Sequence, residues 1–214
     1  MYTLFYAPGA ANMAPHAALE EIGAPHTLVK LDFTRGDHQK PDYLKINPKG
    51  RVPCLVEGDY ALSEAAAIVM HLADRHPEAK LAPLVATPAR GHFYQWLLYL
   101  SNTVQPAFLE YFYPDRFAAD PADAPKVKAH AERRLNEMLV YIDAALAKRG
   151  PYLLGDAFSG ADLFLHMIAR WSRWLDKPAY RYAAIKRCTD LIKARPAVRR
   201  MMAAEGLEEQ EKAP

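Results

Sequence analysis

The chain has 214 residues, of which 51% are hydrophobic, enough for one large core or two modest ones at about 100 to 200 residues per domain. Its 27 basic and 25 acidic residues leave a formal charge of +2, with both signs interspersed, which argues against nucleic acid or an acidic membrane surface as the partner. Cys54 and Cys188 lie far apart and form no C-x-x-C pair, so neither a disulfide framework nor a structural zinc site is expected and a reducing compartment fits. The start MYTLFYAPG has no basic segment followed by an apolar run, and no stretch approaches the ~18 apolar residues of a membrane span. The expectation is a soluble, cytoplasmic protein that acts on something small.

In chain order, residues 2–6 read as a strand that runs through a Pro8-Gly9 turn into a helix, with Asn12 as N-cap and Gly23 as stop. A helix start of this kind aims unpaired N–H groups and the positive end of the helix dipole at its surroundings, which suits an anion. PHTLVKLDF (25–33) reads as a second strand and PDYLKINP (41–48) as a short helix. VPCLVEGDYALS reads as a hairpin around Gly58-Asp59, followed by a helix capped by Ser63 with Ala65, Ile68 and Leu72 on one face. Residues 1–78 therefore run β-α-β-α-β-β-α.

Residues 78–88, EAKLAPLVATP, read as a linker, and everything beyond is helical. Thr87-Pro88 opens a long helix rich in aromatics, and a second runs from Asp123 to Arg149. Ser159-Gly160-Ala161-Asp162 has the form of a capping box at the start of a third. Two more follow, from about Ala179 and from Pro196, ahead of a charged tail, LEEQEKAP.

Two segments point to an amino-acid-like ligand. In GRVPCL (50–55) a proline opens a strand; a cis Val52-Pro53 bond turns the Val52 main chain outward, where it pairs with a peptide-like ligand as an added strand. In YALSEAAAI, Glu64 falls at the next helix start, where a carboxylate is favoured by the dipole and holds an ammonium group.

The P-G turn after the first strand, APH at 14–16, INPKGRVPCL at 46–55, SEAAAI at 63–68 and FSGADLFL at 158–165 together resemble the cytosolic glutathione transferases, nearest to their bacterial beta-type branch. The resemblance covers nearly the whole chain. It implies a thioredoxin-like α/β domain at 1–78 holding glutathione as co-substrate, an all-α domain at 89–214 contributing the site of a small hydrophobic electrophile, and a homodimer. No metal is implied.

Residue by residue, the resemblance places Val52 and Pro53 at the position whose main chain pairs with the cysteinyl unit of glutathione. It places Glu64 and Ala65 at the γ-glutamyl end, and His38 and Gln39, assisted by Arg51, at the glycyl carboxylate. The family commonly has Ser where this chain has Ala65, which leaves a backbone N–H for the γ-glutamyl carboxylate. Beta-type enzymes carry Cys where this chain has Ala11, and a later His-Lys pair where it has Gln105-Pro106, so a mixed disulfide with glutathione at Ala11 is ruled out.

The expected reaction is therefore conjugation of the detoxification type. The glutathione thiol, with a pKa near the cysteine value of about 8.5, is held as thiolate at the start of the first helix. The stabilising group is read as the Asn12 side-chain NH₂ beside Ala11, with Tyr6 as runner-up; the competing role for Asn12 is that of a plain helix cap. His16 reads as a packed structural residue and Cys54 as core. The aromatic run 108–117, with Phe108, Tyr111 and Phe112, is either core or the wall of an electrophile pocket. A glutathione-dependent disulfide reductase and a non-catalytic binder remain as alternative functions.

Overall fold

The computed structural model describes residues 1–207, so the expectation for the charged tail falls almost wholly outside the described residues. The chain divides into two compact units: Met1–Ala82 together with the segment that begins at Lys193, and Pro83–Ile192.

The first unit is built on a four-stranded sheet in the order β2-β1-β3-β4, formed by β1 (Tyr2–Tyr6), β2 (His26–Lys30), β3 (Cys54–Glu57) and β4 (Tyr60–Ser63). β1 alternates buried and half-buried residues, with Tyr2, Leu4 and Tyr6 inside, as a strand with one face on the core should. It pairs in parallel with β2 and antiparallel with β3, and β3 continues antiparallel into β4. The parallel pair needs a crossover, which α1 (Met13–Ile22) supplies.

Small buried residues, Ala14, Ala17 and Ala18, let α1 approach its neighbours closely, and Gly23 ends it at φ 70°, with its N–H on the Leu19 carbonyl at 3.0 Å. Between β2 and β3 stands the short α2 (Pro41–Ile46). After β4 comes α3 (Ala65–Arg75), which buries Ile68, Val69 and Leu72. The whole order is the thioredoxin-like β-α-β-α-β-β-α expected from the sequence, with one correction: α3 starts at Ala65, because Ser63 is the last residue of β4 and Glu64 turns the chain.

The second unit is helical. α4 (Pro88–Tyr99) opens as expected, with the Thr87 hydroxyl accepting the Arg90 N–H at 3.3 Å. A π-helical turn, Leu100–Val104, then leads directly into α5 (Gln105–Phe112), a helix absent from the sequence reading. Pro106 lacks an N–H and its ring crowds the carbonyl four residues back, and the wider π turn accommodates both. α6 (Ala124–Arg149), α7 (Gly160–Trp171) and α8 (Ala183–Lys193) complete the helices of this part of the chain. At α7 the Ser159 N–H and hydroxyl both donate to Asp162 Oδ2, at 2.8 and 2.9 Å, and the Leu153 N–H donates to Oδ1 at 2.8 Å.

The last helix, α9 (Pro196–Ala204), belongs to the first unit and packs on α1. Arg195 clamps Glu21 through Nε and Nη2, and Arg200 Nε holds Glu20 Oε2.

Candidate functional site

Sheet register gathers the site. Phe5 on β1 pairs with Cys54 on β3, and Cys54 pairs with Ser63 on β4. One or two residues beyond that row, at the same end of the sheet, come the turn after Tyr6, the Val52-Pro53 bond and Glu64.

The turn at residues 7–12 is framed from within by Ala10 N–H to the Ala7 carbonyl at 3.1 Å and by a positive φ of 73° at Gly9, a conformation that favours glycine. It is framed from α9's end by Glu205, which is buried. Glu205 Oε2 accepts the Gly9 N–H at 2.9 Å, and Oε1 accepts the Asn12 side-chain Nδ2 and His16 Nδ1, each at 2.8 Å. The Asn12 Oδ1 in turn accepts the Ala7 N–H at 3.1 Å.

Asn12 is wholly buried and stands at the N-cap position, yet its side chain makes no cap bond. Its backbone is helical (φ −69°, ψ −16°) where a capping residue is usually extended, so the amide reaches back across the turn instead. The cap reading of Asn12 is thereby corrected. One of its two amide N–H groups is committed to Glu205. The backbone N–H groups of Ala11 and Asn12 meet no acceptor among the described residues, and they lie at the positive end of α1.

Tyr6 is buried at the end of β1; burial first and the Glu205 charge second raise the pKa of its hydroxyl, which keeps its proton and is a donor.

The Val52-Pro53 peptide is cis. The loop leading to it is braced by the Asn47 side chain, whose Nδ2 donates to the Arg51 carbonyl at 2.7 Å, and by the Tyr43 hydroxyl on the same oxygen. Val52 packs its side chain against the cluster of Leu31, Tyr43 and Cys54, while its N–H and C=O have no partner among the described residues. Gly50 has φ 57°, and a Cβ there would sit 2.6 Å from Gln39 Nε2 and 2.9 Å from the His38 carbonyl. That close approach brings His38 and Gln39 to the loop carrying Arg51 and Val52. His38 rests on the Phe33 ring, with centroids 4.3 Å apart, and its Nδ1 is buried without a hydrogen-bond partner among the described residues.

Glu64 has φ 74° and ψ 112°, a left-handed conformation that a non-glycine residue adopts at a cost of about 1–3 kcal/mol. Its side chain is exposed, and Lys49 Nζ holds Oε1 at 2.7 Å while also reaching Ser63 Oγ at 3.3 Å. Ala65 follows as the first residue of α3, so its N–H belongs to the open first turn.

In the helical unit Phe108 and Tyr111 are buried, and Phe112 is partly exposed. Phe108 stacks on Phe112 at 5.8 Å and meets Trp171 edge-on at 5.9 Å. Sequence reasoning missed Glu205 and Lys49. Nothing local marks Glu205, which lies 193 residues from Asn12, whereas Lys49 stands inside the quoted INPKGRVPCL motif.

The chain thus combines a thioredoxin-like sheet, with a cis-proline loop, an open helix start and a left-handed acidic residue at one end, with a helical unit that follows in the sequence. The glutathione S-transferase N-terminal domain family matches residues 1–74, and the glutathione S-transferase C-terminal domain family matches residues 105–205. The glutathione S-transferase GstA of Escherichia coli O157:H7 is 33% identical over 207 residues, 95% of this chain and 98% of that protein. Among solved structures, a Sulfitobacter glutathione transferase homologue with bound glutathione has TM-score 0.87 and 31% identity over 97% of this chain and 99% of its own. A sphingomonad glutathione S-transferase complexed with glutathione has TM-score 0.83 and 34% identity over 96% and 99%. The chain belongs to the glutathione transferase family.

Proposed function

We propose that this protein is a glutathione-conjugating transferase that binds glutathione along the sheet end just described and directs its thiolate at a small hydrophobic electrophile. The observation that carries the reading is the convergence there of three things. They are the unpaired N–H groups of Ala11 and Asn12, the outward main chain of Val52 before cis Pro53, and the left-handed Glu64 next to Ala65. In this reading Val52 pairs with the cysteinyl unit. Glu64 takes the γ-glutamyl ammonium and the Ala65 N–H its carboxylate. Arg51, His38 and Gln39 serve the glycyl carboxylate. The sulfur sits at the start of α1.

With no Cys at Ala11, thiol activation is electrostatic: the Ala11 and Asn12 N–H groups and the helix dipole stabilise the thiolate, Asn12 supports them, and Tyr6 is a secondary donor. Phe108, Tyr111 and Phe112 supply apolar surface for the electrophile. The relatives with glutathione bound support the ligand assignment. We further propose a homodimer in the cytoplasm, and light scattering that returns the 24.0 kDa of one chain at micromolar concentration would sink the dimer. Among the described residues no helix is long and apolar enough to cross a membrane.

The deciding experiment combines calorimetry with glutathione and parallel turnover assays on an aryl halide and on a model disulfide. Saturable binding with aryl halide turnover is the expected result. Turnover of the disulfide alone, or binding without turnover, would overturn it.

A further inference from the structure

Away from the proposed glutathione contacts, α1 and the first residue of β2 bring together His16, Glu20 and His26. His16 and Glu20 are four residues apart on α1 and therefore lie on one face, one turn apart. His26 follows the left-handed Gly23 that ends the helix. One nitrogen from each histidine and one carboxylate oxygen of Glu20 all lie within 4.8 Å of one another.

Both imidazoles are oriented through Nδ1. That of His16 meets Glu205 Oε1 at 2.8 Å, and that of His26 meets the Ala24 carbonyl at 2.9 Å. Both partners are acceptors, so Nδ1 carries the proton, and in a neutral ring Nε2 keeps its lone pair. His16 is wholly buried and its Nε2 has no hydrogen-bond partner among the described residues, which is costly for a polar atom unless something occupies the place it faces. His26 Nε2 stands 3.6 Å from Glu20 Oε1, and Glu20 is fixed through its other oxygen by Arg200. A histidine whose Nδ1–H is tied to a carboxylate or a carbonyl is the arrangement found behind metal ligands.

We propose that His16 Nε2, His26 Nε2 and Glu20 form a binding site for a divalent transition-metal ion, with zinc as the best match to two imidazoles and a carboxylate. Metal–ligand bonds of about 2.0–2.2 Å require the three atoms to draw to roughly 3.4 Å apart, a movement of an ångström or so, open to the side chains of His26 and Glu20. Those side chains are 13% and 18% exposed, which admits the ion and leaves a fourth position for water. The ion staples α1 to β2. It also polarises His16 toward Glu205, the residue that holds the Gly9 and Asn12 ends of the turn. The site does not depend on the glutathione reading and fails or stands apart from it.

The test uses untagged, chelator-stripped protein and zinc ion alone, without glutathione, whose thiol itself binds zinc. Calorimetry should return one ion per chain with micromolar or tighter affinity, cobalt ion should give the visible bands of low-coordinate cobalt, and zinc should raise the melting temperature. His26→Ala and Glu20→Gln should each weaken binding by at least about tenfold with circular dichroism unchanged, while His92→Ala, on the exposed side of α4, should bind as the wild type does. Absence of saturable zinc binding overturns the proposal, and so does unchanged affinity in both His26→Ala and Glu20→Gln.

Discussion

Asn12 Nδ2 donates to Glu205 Oε1 at 2.8 Å, shielded from solvent, across 193 residues of chain. The shape of the turn that faces the proposed sulfur site is therefore set by a carboxylate near the far end of the described chain. Glu205→Ala removes the acceptor of three donors at once, from Gly9, Asn12 and His16. It should destabilise the fold by about 3–5 kcal/mol, as loss of one partner from a buried charged network does. Urea unfolding checks it. Glu205→Gln, which keeps one acceptor oxygen, should cost about 1–3 kcal/mol.

Asn12→Ala should lower thermal stability, since the Ala7 N–H loses its acceptor and Glu205 Oε1 loses one of its two donors. It should also slow conjugation by roughly 10-fold or more, because the N–H groups beside it lose their frame, and the pKa of bound glutathione should rise. Tyr6→Phe should change less. A pH profile of turnover for both variants is the measurement, and an Asn12→Ala protein that melts early with full activity would limit Asn12 to a structural part.

At Glu64 two substitutions separate the side chain from the backbone. Glu64→Ala should weaken glutathione binding while keeping the left-handed strain. Glu64→Gly should weaken binding too, yet stabilise the free protein by about 1 kcal/mol, because glycine accepts φ 74° without penalty. Calorimetry and melting curves read the two effects, and equal glutathione affinity in wild type and Glu64→Ala would remove Glu64 from the ligand site.

Cys54 and Cys188 are buried, and burial raises both thiol pKa values. A raised pKa lowers the thiolate fraction at any given pH, so neither should react with an aromatic disulfide reagent in the native protein at mildly alkaline pH. Both should react after unfolding in guanidinium. Rapid labelling of the native chain would refute this.

Asp162 is buried at the start of α7, and desolvation lifts its carboxyl to about 6 against the hydrogen bonds from Leu153 and Ser159, which pull the other way. The folded chain therefore binds this proton more tightly than the unfolded one does, so the group's stabilising contribution is complete below the ordinary value near 3.8 and is lost as pH rises through 6. The stability advantage of wild type over Asp162→Asn should be largest near pH 4 and smaller by up to about 3 kcal/mol above pH 6. Denaturant melts across that window test it.

What was legible in the sequence was what neighbours in the chain decide. Thr87-Pro88 and Ser159 with Asp162 start helices by contacts three residues long, and the alternation in residues 2–6 follows from one buried face. The cis bond at Val52-Pro53 was readable only because the motif around it was. Ser63 reads as a cap from its residue type, but it ends β4, and Glu64, at φ 74°, makes the turn into α3. The π turn before Pro106 was missed for a similar reason, as a helix can absorb a proline instead of stopping at it. Glu205, and the meeting of His26 with His16, arise from tertiary packing and leave no periodicity to find.

The placement of α9 within the first unit bears on how the protein is made. A ribosome adding about 5–20 residues per second exposes the strands and α1 early, then takes roughly a further 7 to 30 s to deliver the residues that include Glu205. During that interval Gly9, Asn12 and His16 wait without their shared acceptor, so a nascent chain stopped between Ala65 and the start of α9 carries every proposed glutathione contact in its sequence and an unfinished cradle for the sulfur.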